Sequence, residues 1–482
     1  MPPYPGFLGP TYQSASQMAD QERLINWMLE PNESPSAPNP YVMLPTPGFT
    51  TLITVDQTPI RALQEYGGRV FFVAGSVLYE LTSAGFNVWV AINRGSVTVD
   101  ANPATISWNG PAGNELFITS GGVGYGYDLG TNTLTTVLAS GATMGAYLSN
   151  RFLALDATTG TLQASNLLST TFNPSMIVQR SAAPDPWVSM SVIHNEIWLW
   201  GARTGEVWYD AGAFPFPFEA IPGAVFEQGI AAPFSATRNG SPLQWIGQNN
   251  QGTRVVWQAN GYQPQRVSTH GIEQMLASFS TVNDCVSFTY QQRGHVFYVP
   301  VFGLAQQAFH WDTTLGPAGW GERLFWNTTT ASWEALHVST YTYGFERHLV
   351  GDRLTGKIYQ MDPSFYTDVD GNGMRRMRQP PRLAQEQKRV FYSRLQLVMD
   401  VGIGLSTGQG TDPQVMLQSS NDGGKTFGNE RWVSAGPIGK WGTRVVWRRL
   451  GSARNRVDRF VVSDPVPFRI VDAVLDYAPG VS

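Results

Sequence analysis

At 482 residues the chain can form two or three ordinary domains, or one large closed β array with an appendage. Hydrophobic residues make up 42%, which excludes global disorder, while charged residues reach only 14%. That share is well below the roughly 25% of ordinary globular chains and marks a surface meant to be covered by neighbours. The single cysteine, Cys285, excludes a disulfide scaffold and a cysteine-based zinc site and reads as a small buried apolar residue.

Aromatic residues reach 12%, with 50 Gly and 32 Pro, the mark of many short strands joined by tight turns. No basic-then-apolar leader opens the sequence, and no apolar run approaches the ~18 residues that would span a membrane, so neither export by signal peptide nor membrane insertion is expected. The net charge of −4 hides an asymmetry. Residues 374–459 carry 16 Lys and Arg against 6 Asp and Glu, a net of +10, which leaves −14 on the other 396 residues. A change of domain near residue 374 is the simplest account.

In chain order, residues 1–48 read as an extended, Pro-rich arm with one candidate helix over 17–29, where Ala19, Leu24, Ile25 and Met28 fall near helical spacing and Glu30-Pro31 ends it. From about residue 58 a unit recurs: a turn, an apolar-aromatic strand, a Gly-containing turn, a second strand. It begins at Gly67-Gly68-Arg69-Val70-Phe71-Phe72-Val73 and returns near Phe117, Phe152, Trp198, Val256, Phe297 and Leu349, about 46 residues apart on average. A period in the 40s carrying two to four short strands is the signature of a β-propeller blade, because one four-stranded blade cannot bury both faces alone and radial stacking hides them. Six or seven blades fit the spacing, and a run of β-sandwiches is the competing arrangement. The predicted fold is therefore all-β: an arm over 1–48, a six- or seven-bladed propeller over 49–373, and a basic C-terminal β-sandwich or barrel over 374–482. In that last domain Tyr392, Arg394, Gln396 and Val398 alternate with Ser393, Leu395, Leu397 and Met399.

Two loop motifs carry possible chemistry. Asp368-x-Asp370-x-Asn372-Gly373 opens like a Ca²⁺ loop, but its twelfth position holds Gln379 where a bidentate Glu belongs, so an ordinary Asp/Asn/Gly turn is the stronger expectation. Ser420-Asn421-Asp422-Gly423-Gly424-Lys425-Thr426-Phe427 fits the Asp-box pattern of sialidase blades, a hairpin device in which the Asp caps the turn. The six histidines, His194, His270, His295, His310, His337 and His348, show no ligand spacing, and no nucleophile elbow or phosphate loop occurs. No catalytic residue, cofactor or metal is assigned, and the chain is not expected to be an enzyme. The alternative function is a propeller glycosidase or glycan-binding protein, with Arg69, Arg151, Arg203, Arg254, Arg293 and Arg347 recurring near the blade anchors. It requires arginines or carboxylates converging on the propeller axis.

The basic region is the strongest functional signal. Arg444, Arg448, Arg449, Arg454, Arg456 and Arg459 form the candidate contact set, joined by Arg375, Arg376, Arg378, Arg382, Lys388 and Arg389. Such a bank binds phosphates without sequence preference, or bridges subunits through carboxylates on the acidic remainder of the chain.

Asn26-Trp27, Glu30-Pro31, Leu44-Pro45-Thr46-Pro47-Gly48-Phe49 and Arg61-Ala62-Leu63, followed by Leu78-Tyr79, together resemble the N-terminal signature of the tail-nozzle proteins of short-tailed (podovirus-type) bacteriophages. These are also called packaged-DNA stabilisation or tail hub accessory proteins. His270-Gly271-Ile272-Glu273-Gln274-Met275-Leu276, then Val446-Trp447-Arg448-Arg449-Leu450-Gly451, extend the resemblance over nearly the whole chain. It implies a virion tail subunit assembled in the host cytoplasm as a homo-oligomer, a hexameric ring beneath the portal. Implied partners are an adaptor or head-to-tail connector, a tail fibre or tailspike, a terminal needle or plug, and the double-stranded DNA that passes through. It implies retention of packaged DNA and a part in ejection, and no chemistry.

Overall fold

The computed structural model describes residues 2–480 apart from 17, 35, 37, 38, 86, 181–183, 239, 241, 250, 386 and 387. Seven small antiparallel sheets follow one another from residue 60 to residue 362, and each lays its first strand beside the next around a common axis. Blade one runs Ile60–Tyr66, Arg69–Ala74, Val77–Gly85 and Val88–Ser96 in sequence order, and blades two to four repeat that order. The propeller is thus seven-bladed.

The recurrent sequence anchors are the inner hairpins of these blades. Gly67-Gly68, Ser149-Asn150, His194-Asn195, Arg293-Gly294 and Phe345-Glu346 each place two successive residues at positive φ, between 48° and 86°. Two-residue turns with both residues in this region match the right-handed twist of the flanking strands, so each turn sets the register of its blade. Backbone bonds then stitch neighbouring blades at the axis: Ala104 N donates to the Arg61 carbonyl at 3.1 Å and Ser287 N to the Phe234 carbonyl at 3.1 Å. Glu65 N donates to Thr342 Oγ1 at 3.0 Å, which ties blade one to blade seven. Blade seven takes its outer strand, Gly48–Thr54, from before blade one, pairing it with Lys357–Asp362 from Lys357↔Thr54 to Asp362↔Gly48. The ring is closed by chain segments about 300 residues apart, so the blades have only outer edges.

The C-terminal domain, joined by strands from residues 21–45, is a β-sandwich. One sheet orders Trp27–Pro31, Tyr41–Pro45, Ile470–Pro479, Val390–Met399 and Val445–Ala453. The other orders Gln21–Ile25, Arg376–Gln379, Val457–Val462, Gln414–Ser420 and Arg431–Ser434, and it is continuous with blade six through Trp320–Glu322. Leu24, Trp27, Leu395, Leu417, Trp447 and Phe460 meet between the sheets.

Residues 1–48, read from sequence as an arm, supply strands to both sheets of the sandwich and seat Tyr4 and Phe7 in its core. The helix expected over 17–29 does not form. Residue 17 lies outside the described residues, and the rest of the segment holds the strands Gln21–Ile25 and Trp27–Pro31, broken at Asn26 with φ 57°. Leu24, Ile25, Trp27, Met28 and Leu29 are all buried, because the segment is covered by propeller on one side and sandwich on the other. Burial all round erases the two-residue alternation and leaves a pattern that mimics a helix.

The alternation expected along 392–399 is also shifted. A bulge between Tyr392 and Arg394 turns Tyr392, Leu395 and Leu397 to the same interior side. Among the described residues the longest α-helix is His270–Ser278, capped by Thr269, whose hydroxyl accepts from Ile272 N. No described helix is long and apolar enough to cross a membrane.

Candidate functional site

The six candidate arginines separate into three environments. Arg444, Arg448, Arg449 and Arg454 are exposed, on and around Val445–Ala453, the last strand of its sheet. Arg448 stands directly opposite Arg394 in the register, and its carbonyl accepts from Arg431 Nη2 at 2.6 Å. Like charges facing each other across a ladder are unfavourable until an anion or carboxylate arrives. Charge on an unpaired edge also blocks edge-to-edge association.

Arg456 departs from the expected surface position. It is buried with Nε on Asp458 Oδ1 at 3.0 Å, Nη1 on the Leu450 carbonyl at 2.8 Å and Nη2 on Ser419 Oγ at 2.9 Å. Its guanidinium lies 5.0 Å from the Tyr392 ring centre. The reason is strand geometry: Arg456 and Asp458, two residues apart, share the inward face. Arg459 is half-buried, held by Gln379 Oε1 at 3.1–3.2 Å and stacked 3.8 Å from the Phe427 ring centre.

Part of the basic excess over 374–459 is therefore internal. Arg378 is fully buried and gathers the N-terminal segment, with Nε on the Phe7 carbonyl at 2.6 Å and Nη2 on the Gly6 carbonyl at 2.7 Å and on Glu22 at 2.5 Å. Arg376 is buried as well, beside the Trp27 and Tyr366 rings. Arg375 is partly buried, stacked 4.3 Å from the Trp326 ring centre.

At the proposed Ca²⁺ loop the oxygens diverge. Asp368 is turned inside, where burial lifts its pKa to about 6, and Asp370 accepts from Asn372 N at 3.0 Å and Asn372 Nδ2 at 2.7 Å. The segment closes as a turn bridged by Thr367 and Gly373. Among the described residues no group of three His, Cys, Asp or Glu stands ready for a metal. The Asp-box is a turn device as well. Asp422 accepts from Lys425 N, Thr426 N, Thr426 Oγ1 and Ser420 Oγ, and these bonds hold its carboxyl well below the usual range.

The propeller axis holds a cavity of about 530 Å³, walled by the inner strands. Its charged lining residues are Arg61, Glu65 and Arg238, and Arg61 is already committed to Asp100, Ser120 and backbone carbonyls. Glycoside cleavage uses two carboxyl groups across the bond, whereas this lining supplies Glu65. The blade-anchor arginines are not on the axis. Arg69 grips Glu80 at 2.7 and 2.8 Å, Arg151 donates to the Ser165 carbonyl, and Arg254 donates to the Leu276 and Phe279 carbonyls.

Several residues that bind the two domains escaped the sequence. Glu322 at the end of blade six is fully buried and accepts from Arg23 at 2.5 and 3.0 Å, Gln307 Nε2 at 2.9 Å and Thr11 Oγ1 at 3.2 Å. His295 of blade six lies between Asp312 at 2.5 Å and Glu30 at 2.9 Å, and the Asp312 hydrogen bond, with help from Glu30, raises its pKa to about 9. The partners that join the two domains, Glu322 with Arg23 and Thr11 and His295 with Glu30, are hundreds of residues apart, so no local spacing reveals them.

The chain is thus a seven-bladed propeller fused through one continuous sheet to a sandwich, with Glu322–Arg23 and His295–Glu30 holding the two together. Two family models match in series: bacteriophage P22 Gp10, beta-propeller, over residues 16–366, and bacteriophage P22 Gp10, beta-sandwich, over residues 375–477. The chain belongs to the bacteriophage P22 Gp10 family and is a phage tail structural protein of the virion. No curated protein matches it significantly. Similar solved structures include the N-terminal domain of Nup159, at 11% identity and TM-score 0.41, covering 70% of this chain and 98% of that one. Another is the extracellular domain of the hybrid two-component system BT4673 from B. thetaiotaomicron, at 8% identity and TM-score 0.42, covering 66% of this chain and 39% of that one. At these scores the likeness adds nothing to the fold.

Proposed function

We propose that the chain is the ring-forming nozzle subunit of a short-tailed phage. Copies close into a hexameric ring below the portal and adaptor, extend the DNA channel, retain the packaged genome, and release it on ejection. Tail fibre or tailspike and a terminal needle or plug attach to the same ring, which assembles in the host cytoplasm. The observation that carries this is the match of both domains, in order, to the Gp10 family. The continuous sheet from blade six into the sandwich supports it, because a ring under the pressure of packaged DNA needs subunits that do not hinge internally.

Arg444, Arg448, Arg449 and Arg454 serve ring closure or docking, with DNA contact secondary. A channel densely lined with arginine grips the duplex, since each neutralised phosphate steepens the salt dependence by about 0.9 in log–log slope. Changing Arg448 and Arg449 together to Glu tests this: the expected result is a folded subunit that no longer assembles into tails. Normal assembly and unchanged ejection would remove the role.

A further inference from the structure

Where blade six joins the sandwich, two recesses of about 360 and 180 Å³ open on the same sheet and share one wall residue, Arg459. Arg23 stands on one side of it and Arg375 on the other, and these like charges, after burial itself, pull the Arg459 pKa down to about 10. Its neighbours are each matched: Arg23 by Glu322 at 2.5 Å and Arg375 by Glu430 at 3.4 Å. Among the described residues no carboxylate pairs with Arg459, and its Nη1 has no acceptor, since Nε and Nη2 both rest on Gln379 Oε1. A half-buried cation flanked by cations and lacking its own counter-charge is unfavourable alone and favourable once an anion arrives.

The surroundings select the anion. Trp326 and Trp333 wall the larger recess, with their rings 5.0 Å apart, and Phe427 lies under the guanidinium. Aromatic walls around a recessed arginine suit a side chain entering from an extended peptide, with apolar neighbours resting on the indoles. A duplex is too broad to enter recesses of about 360 and 180 Å³, whereas a single side chain fits them. We infer that this groove is a docking site for a protein segment that inserts one Asp or Glu carboxylate onto Arg459 between Trp326 and Phe427. The inference deepens the tail-assembly reading, on which it rests for the partner's presence in the virion.

The test uses the full chain labelled with 5-fluorotryptophan and followed by fluorine NMR, with Trp326→Phe and Trp333→Phe assigning the two signals. The probe is the blocked pentapeptide acetyl-Gly-Phe-Glu-Phe-Gly-amide. It should shift both signals saturably, and its Gln counterpart should bind about 10-fold more weakly or worse, as should the Glu peptide to Arg459→Gln, while Arg459→Lys keeps part of the affinity. The proposal fails if the Glu peptide leaves both signals in place, if the Gln peptide binds as well, or if a short DNA duplex moves the same signals more tightly. The peptide comparison on the unmodified chain needs no variant to fold. Failure here with the protein still present in purified tails discards the groove and leaves the tail role standing; absence from tails discards the role and leaves the groove to its own titration.

Discussion

Asn26 and Leu324 exchange two hydrogen bonds: Leu324 N donates to Asn26 Oδ1 at 3.0 Å, and Asn26 Nδ2 donates to the Leu324 carbonyl at 2.7 Å. The same Nδ2 reaches the Arg375 carbonyl at 2.8 Å, and the Asn26 carbonyl accepts from Thr46 N and Oγ1. One buried residue at φ 57° thus passes the chain from one sandwich sheet to the other while holding the strand Leu324–Asn327 that follows blade six. Asn tolerates this conformation better than other non-glycine residues and brings both a donor and an acceptor.

Asn26→Ala strands three buried backbone groups, each worth roughly 1–3 kcal/mol, so it should cost at least about 3 kcal/mol. Asn26→Gly loses the same bonds but keeps the backbone, and should recover about 1 kcal/mol of that. Urea unfolding of the three proteins checks both numbers.

The turn chemistry has its own test. Gly68 sits at φ 81° with no atom within 4 Å of where a Cβ would stand. Gly68→Ala should therefore cost about 1 kcal/mol through backbone conformation alone, with the propeller otherwise unchanged. A loss several times larger by thermal unfolding would mean that the turn is not of this type.

His295 predicts a pH dependence. Its pKa rises from the ordinary 6.5 to about 9 in the fold, through Asp312 first and then Glu30. The protonated ring is the stabilising form, so its contribution is complete below pH 6.5 and is lost as pH climbs through about 9. The urea midpoint should fall over that window, and His295→Gln should flatten this part of the profile.

Arg456 and the Arg448–Arg449 pair should behave oppositely. Arg456→Ala leaves Asp458 buried without its partner and should cost about 3–5 kcal/mol. The exposed pair, changed to Glu, should shift unfolding by no more than about 0.5 kcal/mol while reducing assembly.

The blades were legible because their inner hairpins repeat a short-range signal, two turn residues followed by an apolar-aromatic strand, as at Gly67-Gly68 and Ser149-Asn150. The sandwich partners of residues 21–45 were not. Gln21–Ile25 pairs with Arg376–Gln379, some 350 residues away, and the burial of the successive residues Leu24 and Ile25 hid its strand period. Charge counting located the basic region over 374–459 but could not divide it. Arg456 points inward because Asp458 waits on the same face, whereas Arg448 and Arg449 lie on an open edge, and only the pairing of strands separates the two cases.

Whether the chain is a ring subunit of the phage tail is decided by native mass spectrometry of tails released from purified virions. The expected result is a closed complex with six copies of the chain per tail. A chain absent from the virion, and strictly monomeric when concentrated, would contradict it.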